Sequence, residues 1–356
     1  MRILKQVPKI LFGSGMFEKL GEFISDFKLG DGYIVYLLDS VHKATGLVSR
    51  LKLKKGDCCI LIDTADEPKT EIIDSLRDQI KEKNDRLPKL IVGIGGGSVM
   101  DIAKAVSVVL TNEGSSRNYQ GWNLVKNPPI PKIGIPTISG TGSEATRTAV
   151  LTGPEKKMGI NSEYSMFDGI LLDPELTKTV RHEQAFYTGM DCYIHCVESI
   201  NGTFINNFVK IHVKNALEIC RRVFLKEGKL NEQDREDLMI ASYAGGLSVA
   251  NSEVGVCHAL SYGLSLELGF HHGIANCIVF NHLGEYYPEE SKEFRKMLKA
   301  NGIRLPVGVT KNLAPEKMGK MVGMALKMER PLENALGPNW KKIFTSERIM
   351  ELYRRM

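Results

Sequence analysis

The sequence predicts an α/β domain with a parallel, Rossmann-like sheet, followed by an all-helical domain. Through about residue 178, short β-branched runs alternate with amphipathic stretches, which is the pattern of parallel βαβ units. From Glu183 onward the apolar residues recur with helical spacing, and few strand candidates remain. The chain has 356 residues, a length for which two domains of about 150 to 200 residues are usual. We therefore expect one domain over residues 1–178 and a second over residues 179–356.

The elements of the first domain follow one another in a regular order. Strands are predicted where short runs are rich in Val, Ile and Leu, and helices where apolar residues recur every three or four positions. The predicted strands are 33–39, 58–63, 89–97, which runs into glycines, and 132–137. The predicted helices between them are 41–52, 71–83 and 99–110.

The second domain shows the helical period almost throughout. Its apolar residues recur at three and four positions, as expected for helices that bury one face. The predicted helical segments are 185–200, 208–225, 234–250, 257–268 and 315–326.

Composition and charge argue against several classes of protein. With 43% hydrophobic and 25% charged residues, the chain resembles ordinary globular proteins. The net charge of +5 comes from scattered lysines and arginines, which does not favour nucleic acid as a partner. There is no apolar run of the ~18 residues that a membrane span needs, and no signal peptide, so we expect a cytoplasmic protein without a membrane partner. The seven cysteines are an odd number in a large chain, and we expect reduced thiols.

A glycine run stands between a predicted strand and a predicted helix. In LIVGIGGGSVMDIAKA, the residues Gly95, Gly96, Gly97 and Ser98 let backbone N–H groups approach a pyrophosphate, and the helix N-terminus adds positive potential there. The usual GxGxxG pattern is absent, and an isolated GGGS is more often a flexible turn. The position of this run between strand and helix favours a phosphate site.

A second loop with similar chemistry follows the next predicted strand. The segment GIPTISGTGSEAT is rich in hydroxyl and backbone donors. Two such loops after successive strands favour a shared ligand at the carboxyl ends of the strands. Asp39 ends the strand 33–39, where it can accept hydrogen bonds from an adenosine ribose and repel a 2′-phosphate. An acidic residue at a strand end is, however, commonly a turn or cap former.

Four side chains in the helical region are candidate metal ligands. Asp191 and His195 are four residues apart in a predicted helix, so both project from one face. His258 and His272 lie in a later segment, VCHALSYGLSLELGFHHGIAN. One carboxylate with three imidazoles suits Fe²⁺ or Zn²⁺ and leaves coordination positions open for substrate. A lone histidine in an apolar helix usually serves packing, but packing does not explain these four together.

A zinc site built from thiolates is an alternative interpretation of the same segments. Cys192 and Cys196 adjoin the two helical ligands, and Cys257 precedes His258. This reading is less favoured because Cys192 and Cys196 point away from the face of the two ligands, and the chain has no CxxC pair.

Five motifs together resemble the iron-containing, metal-dependent alcohol dehydrogenase family. They are GGGSVMDIAKA, PTISGTGSEAT, ILLDPEL, GMDCYIHCVES and VGVCHALSYGL…FHHGIAN, in this order over nearly the whole chain. The resemblance implies a dehydroquinate synthase-like architecture, in which the active site lies between a dinucleotide-binding domain and a helical domain. It also implies Fe²⁺ or Zn²⁺, and NAD, as cofactors. By motif match, the metal ligands are Asp191, His195, His258 and His272, and the cofactor contacts beyond Asp39 and Gly95–Ser98 are Asp101, Thr137, Thr141 and Lys157.

The chain departs from the family pattern beside the proposed ligands. Many relatives carry a histidine four residues after the third ligand, where this chain has Tyr262. An additional histidine, His271, precedes the last ligand. We expect Tyr262 or His271 to relay the proton when the metal has lowered the pKa of the substrate hydroxyl and hydride passes to the nicotinamide.

Several segments resemble one branch of this family more closely. NYQGWNLVKNP and the stretch from GSEATRTAV to LLDPEL are similar to the branch that oxidises the terminal 8-hydroxyl of the sugar acid 3-deoxy-manno-octulosonate in lipopolysaccharide biosynthesis. The cations Arg147, Lys156 and Lys157 near the second loop are compatible with a carboxylate, and Arg147 is the candidate for binding it. Lysine and arginine on a surface turn are just as often solvated.

Three alternatives stay open beside the sugar-acid hypothesis. The first is an NAD-dependent dehydrogenase of another small alcohol or polyol. The second is a non-redox lyase of the dehydroquinate synthase type, which has more clustered basic residues than this chain. The third is a non-catalytic metal or nucleotide sensor. For the dehydrogenase we expect a small-molecule alcohol or sugar-acid substrate and a homodimer.

Overall fold

The structure is a computed structural model that describes Leu4 and residues 6–356. The chain divides into two compact units. One unit runs to Ile138 and includes Ser143–Thr179, and the other consists of Ser139–Gly142 and Val180–Met356. The inclusion of Ser139–Gly142 in the second unit differs from the predicted division at residue 178. No helix in the described part of the chain has both the length and the hydropathy needed to cross a membrane.

The first unit contains the predicted parallel sheet. Six strands lie in the order β1-β9-β6-β4-β2-β3, and every neighbouring pair is parallel. A second sheet has the order β5-β8-β7. The strands are β1 Ile10–Phe12, β2 Ile34–Asp39, β3 Cys58–Ile62, β4 Leu90–Gly95, β5 Gly121–Trp122, β6 Lys132–Pro136, β7 Thr148–Thr152, β8 Lys157–Asn161 and β9 Gly169–Leu172. The helices are α1 Leu20–Ser25, α2 Leu47–Arg50, α3 Thr70–Lys83 and α4 Gly97–Val109.

The central strands are buried on both faces, which explains why their sequences are continuous apolar runs. Every residue of β2, β4 and β6 is buried. In the register of the sheet, Leu38 pairs with Ile94, and Gly95 pairs with Pro136. The carboxyl ends of three neighbouring strands, at Asp39, Gly95 and Pro136, therefore lie along one edge of the sheet, as the two glycine loops required.

The predicted helix over residues 41–52 is wrong in its extent. A short 3-10 helix at Ser40–Lys43 is separated from α2 by Gly46, whose φ of 73° is left-handed and ends the helical path. Strands β1, β7, β8 and β9 were not predicted. β1 and β9 have only three and four residues, too few for a clear periodic signal.

The second unit is helical, as predicted. Helices α5 and α7 are long and mostly buried, and the largest cluster of buried apolar side chains lies among the helices of this unit. The helices are α5 His182–Asn201, α6 Asn207–Phe224, α7 Glu232–Asn251, α8 Val256–Leu268, α9 His272–Phe280, α10 Pro288–Ala300, α11 Pro315–Leu326, α12 Glu329–Leu336, α13 Trp340–Ile343 and α14 Ser346–Arg354.

Gly140 is a close-approach point between Ser139–Gly142 and α5. Its φ is 147°, and an added Cβ would overlap the carbonyl oxygen of Thr188. We expect Gly140→Ala to lower the free energy of unfolding by about 3 kcal/mol, measured by urea denaturation, because strain and overlap add. Gly269→Ala is the matched control, since Gly269 has a φ of 73° but no atom near its Cβ position. It should cost about 1 kcal/mol, and equal losses in the two variants would refute the overlap argument.

Candidate metal centre and glycine loops

The structure brings the four candidate ligands together in the helical unit. Asp191 and His195 lie one turn apart on α5, His258 lies in the first turn of α8, and His272 is the first residue of α9. Asp191 Oδ1 lies 3.6 Å from His195 Nε2, 3.4 Å from His258 Nε2 and 3.5 Å from His272 Nε2. One donor atom from each of the four residues lies within 4.8 Å of the other three.

These separations fit a divalent ion. Donors bound tetrahedrally at about 2.1 Å lie about 3.4 Å from one another, close to the distances from Asp191 Oδ1. Asp191 Oδ2 is buried and has no hydrogen-bond partner. A buried polar atom is rarely left unsatisfied, so this oxygen indicates a site that a bound group completes.

A buried glutamate, Glu198, holds one of the imidazoles from behind. Its Oε2 accepts from His258 Nδ1 at 2.6 Å and from Gly255 N at 2.8 Å, and its Oε1 accepts from Cys257 N at 2.6 Å. Because a carboxylate only accepts, the proton of His258 lies on Nδ1, and Nε2 faces Asp191. Glu198 was not among the predicted site residues, although its place three residues after His195 on one helix was a usable signal.

The charges of this cluster are strongly coupled. Burial alone would raise the pKa of Asp191, but the imidazoles of His195, His272 and His258 lower it below its ordinary value. Burial lowers the pKa of His195 to about 4. Burial would also lower the pKa of His258, but Glu198 and Asp191 raise it to about 9. The two buried carboxylates thus favour a positive charge among these imidazoles, which a proton or a metal ion can supply.

The first glycine loop joins β4 to α4 in the other unit. Gly95 ends β4, Gly96 precedes the helix, and no side chain caps the first turn of α4. A Cβ at Gly95 would lie 2.6 Å from Val99 Cγ2, so the backbone there approaches its neighbours closely. The first N–H groups of a helix have no partner within the helix, which makes this turn a suitable anion site.

Asp101 is the fifth residue of α4 and fixes the second loop. Its Oδ1 accepts from Ser143 Oγ at 2.5 Å, and its Oδ2 accepts from Val150 N at 3.0 Å. Lys104, which is fully buried, donates to Ser143 O at 2.5 Å and to Thr146 Oγ1 at 3.0 Å. Burial lowers the pKa of Lys104 to about 8. These contacts mean that Asp101 and Lys104 hold α4 and the segment after Gly142 in one arrangement.

Asp39 acts as a cap in the structure. Its Oδ1 accepts from Val41 N at 3.1 Å, and both of its carboxylate oxygens accept from Thr64 Oγ1. A carboxylate offers about four acceptor positions, so these bonds leave capacity for a further donor. The cap and the proposed ribose contact are therefore compatible.

The remaining candidate cofactor contacts lie in different parts of the structure. Thr137 Oγ1 is 2.9 Å from His42 Nε2. Lys157 is buried on β8, and its Nζ lies 3.3 Å from Glu67 Oε2. Thr141 belongs to Ser139–Gly142 and thus to the helical unit. Thr137 and Thr141, predicted to share one loop, thus belong to different units.

Arg147 lies just before β7, in the first unit. Its guanidinium carbon is 4.9 Å from the centre of the Trp122 ring, a cation–π arrangement. Lys156 Nζ donates to Gln120 O at 3.2 Å. The guanidinium of Arg147 is thus held against a flat aromatic surface.

Both halves of the chain match models of one protein family. Residues 8–174 match the model described as iron-containing alcohol dehydrogenase, and residues 185–331 match the C-terminal model of the Fe-containing alcohol dehydrogenase family. The chain belongs to the iron-containing alcohol dehydrogenase family. As a member, it is an oxidoreductase that acts on alcohols, which favours the dehydrogenase hypothesis over the lyase and sensor alternatives.

Relatives of this iron-containing alcohol dehydrogenase include enzymes and solved structures. It is 33% identical over 276 residues to a sulfoacetaldehyde reductase of Bilophila wadsworthia, covering 76% of this chain and 70% of the relative. It is 28% identical over 296 residues to alcohol dehydrogenase 4 of Saccharomyces cerevisiae, covering 78% and 74%. An iron-containing alcohol dehydrogenase of Thermotoga maritima shares 26% identity and has a TM-score of 0.83, with 99% of each chain covered. These likenesses confirm the predicted fold class.

The two candidates for the proton relay in this alcohol dehydrogenase are Tyr262 and His271. Tyr262 is buried, and its ring centre is 5.8 Å from that of His272, with the rings edge to face. His271 precedes α9, is exposed and makes no capping hydrogen bond with its side chain. Of the two, Tyr262 is in ring contact with a candidate ligand.

No cysteine in the described part of the chain is among the donor atoms of the candidate metal centre. Cys192 Sγ donates to Ala241 O at 3.2 Å, and Cys257 Sγ donates to Asn276 O at 3.3 Å. Burial raises the pKa of Cys257 well above its ordinary value. In the described part of the chain, the one group of acidic, histidine and cysteine side chains able to hold an ion contains no cysteine. This geometry favours the carboxylate–imidazole set over the thiolate zinc site.

Proposed function

We propose that this enzyme oxidises a primary alcohol to an aldehyde, with NAD as hydride acceptor and a divalent ion, Fe²⁺ or Zn²⁺, held by Asp191, His195, His258 and His272. The convergence of these four donor atoms within 4.8 Å carries the proposal. A divalent ion bound there supplies Lewis-acid chemistry, which lowers the pKa of a substrate hydroxyl toward neutral pH.

The residues of the chain have separate tasks in this proposal. Glu198 orients His258 so that its Nε2 faces Asp191, where it would hold the ion, and burial keeps His195 neutral at physiological pH. The backbone N–H groups of Gly95–Ser98 bind the pyrophosphate at the N-terminus of α4. Tyr262, in ring contact with His272, is our candidate for carrying the hydroxyl proton away, with exposed His271 as the alternative.

Direct assay of hydride transfer tests the proposed reaction. The purified, metal-loaded protein is mixed with NAD and an alcohol, and NADH formation is followed by absorbance against aldehyde formed. One NADH for each aldehyde supports a dehydrogenase. Turnover without net NADH would instead indicate a lyase, and binding without turnover a sensor.

We further propose that the substrate is a sugar acid, 3-deoxy-manno-octulosonate, oxidised at its terminal 8-hydroxyl. The motif resemblance and the cations near the second loop support this substrate. Relatives whose names refer to anionic substrates, sulfoacetaldehyde reductase and the 4-hydroxybutyrate dehydrogenase of Clostridium kluyveri, support an anionic alcohol more generally. A small sulfonated or carboxylated alcohol is therefore the second candidate.

Arg147 is our candidate for binding the substrate carboxylate. We expect Arg147→Ala to lower kcat/KM for the sugar acid about 30- to 150-fold, because a charge-assisted bidentate contact contributes roughly 2 to 3 kcal/mol. The same variant should oxidise an uncharged primary alcohol at the wild-type rate, which serves as the control. Equal impairment for both substrates, or wild-type preference for simple short alcohols, would exclude this substrate.

Asp39 should select NAD over NADP. Its carboxylate repels a 2′-phosphate, so wild-type protein is expected to bind NAD more tightly, as measured by calorimetry with each nucleotide. Asp39→Asn can retain the bond to Val41 N while removing the charge, and it should shift the preference toward NADP by about tenfold. If wild-type protein binds NADP as tightly as NAD, Asp39 does not have this role.

A further inference from the structure

Asn276 lies within the candidate metal centre, although no motif argument assigned it a role. It is on α9, one turn after His272, and it is completely buried. Its Nδ2 lies 2.6 Å from Asp191 Oδ1, 3.1 Å from His258 Nε2 and 3.2 Å from His272 Nε2. One amide nitrogen thus contacts three of the four candidate ligand atoms.

The chemistry of the neighbours determines which end of the amide faces them. The carboxylate oxygen of Asp191 and the Nε2 atom of a neutral imidazole each offer a lone pair, so they attract an N–H donor and repel a carbonyl oxygen. Asn276 Oδ1 is buried and has no hydrogen-bond partner. The residue therefore leaves one polar atom unsatisfied while its amide nitrogen faces the ligand atoms, which is unusual for a residue that serves packing alone.

We propose that Asn276 is a positioning residue that holds Asp191, His258 and His272 at ion-binding separation before an ion arrives. This inference rests on the proposed metal site. Ion binding requires neutral imidazoles. In that state, without a donor between them, lone pairs facing one another at 3.4 to 3.5 Å would repel and the side chains would separate. An ion held there would take the imidazole lone pairs, and a second lone pair on Asp191 Oδ1 would be available for the bond to Asn276.

Two opposing effects determine whether removal of the Asn276 amide weakens or strengthens ion binding. The ion must displace the two long contacts from Asn276 to the imidazoles, which weakens ion binding by a few-fold. Preorganisation of the ligands acts in the other direction, and loss of a residue that orients metal ligands typically costs about 10- to 100-fold in affinity. Preorganisation is the larger effect, so removal of the amide should weaken ion binding.

The test is the affinity of Asn276→Leu for Zn²⁺, measured by competition with a chromophoric chelator at one pH. Leucine keeps the volume but removes the donor, and we expect Zn²⁺ binding about 10- to 100-fold weaker than in wild-type protein. Asn301→Leu is the matched control. The Asn301 amide donates only to the carbonyl oxygens of Phe224 and Met297, so this variant should keep wild-type affinity even if it is less stable.

Each result has one interpretation. Zn²⁺ affinity of Asn276→Leu within twofold of wild type, or tighter, would overturn the inference while the proposed metal site stands. A comparable loss in Asn301→Leu would also overturn it, because the effect would then reflect general destabilisation. Failure of wild-type protein to bind Zn²⁺ would refute the metal site itself. If the leucine variant does not fold, Asn276→Ala, which introduces no bulk, is measured in its place under the same criteria.

Discussion

Replacing His272 with alanine is expected to abolish binding of a divalent ion at stoichiometric concentration, together with alcohol oxidation. Three donors would remain, and the lost imidazole is one of only two that face Asp191 from outside its own helix. The side chain of His272 is 24% exposed, so its removal should leave the fold intact. Elemental analysis of the purified variant after incubation with iron or zinc, followed by gel filtration, measures the occupancy.

His258→Ala should remove the ion as well, but with a larger loss of stability. His258 is buried and is hydrogen-bonded to Glu198, so the alanine variant leaves a buried carboxylate without that donor. His212→Ala is the matched control. Its imidazole lies on α6 in ring contact with Phe208, and the variant should bind the ion normally. Full metal occupancy in both His258→Ala and His272→Ala would show that the four residues are not a metal site.

Glu198→Ala is expected to lower the free energy of unfolding by about 3 to 5 kcal/mol, because the variant leaves buried donors unsatisfied. Those donors are Gly255 N, Cys257 N and His258 Nδ1. His258 would also lose the partner that fixes its proton on Nδ1. This loss should weaken metal binding by about 10- to 100-fold, the usual effect of removing a hydrogen-bond partner from a metal-binding histidine. Urea denaturation and chelator competition measure the two effects separately.

Glu198→Gln removes the charge and keeps one of the two acceptor oxygens. In wild-type protein the pKa of His258 is about 9, so below that pH a metal ion must displace one proton. Metal affinity should therefore rise by about tenfold per pH unit between pH 7 and pH 9 and then level off. Without the charge of Glu198 the pKa of His258 should fall, so the rise in Glu198→Gln should end at a lower pH. An unchanged pH profile would mean that Glu198 does not control this proton.

Much of the fold could be predicted because it depends on local patterns. Strands buried on both faces must be continuous apolar runs, and β2, β4 and β6 are such runs. The glycine loop between β4 and α4 was predictable for a similar reason, since a close backbone approach excludes a Cβ at Gly95. Short strands such as β1 and β9 were missed, because three or four residues carry too little periodicity.

The candidate metal centre was partly predictable. Asp191 and His195 are four residues apart, so helical geometry alone places them on one face. His258 and His272 could be named from their segment, but a turn between α8 and α9 separates them, and no local rule fixes how such a turn folds back toward α5. Their separations of 3.4 and 3.5 Å from Asp191 Oδ1 were therefore decided by tertiary packing.

The sequence by itself determined the fold class, the family, the two glycine loops and the identity of the candidate ligands, because each depends on residue types at short, fixed spacing. Only the tertiary structure decided which side chains support those ligands. Glu198 and Asn276 contact atoms 60 and 85 residues away in the chain, and such pairings depend on how helices pack. Tertiary structure likewise grouped Ser139–Gly142 with the helical unit, because close contact between backbones, as at Gly140, depends on packing and not on local propensity.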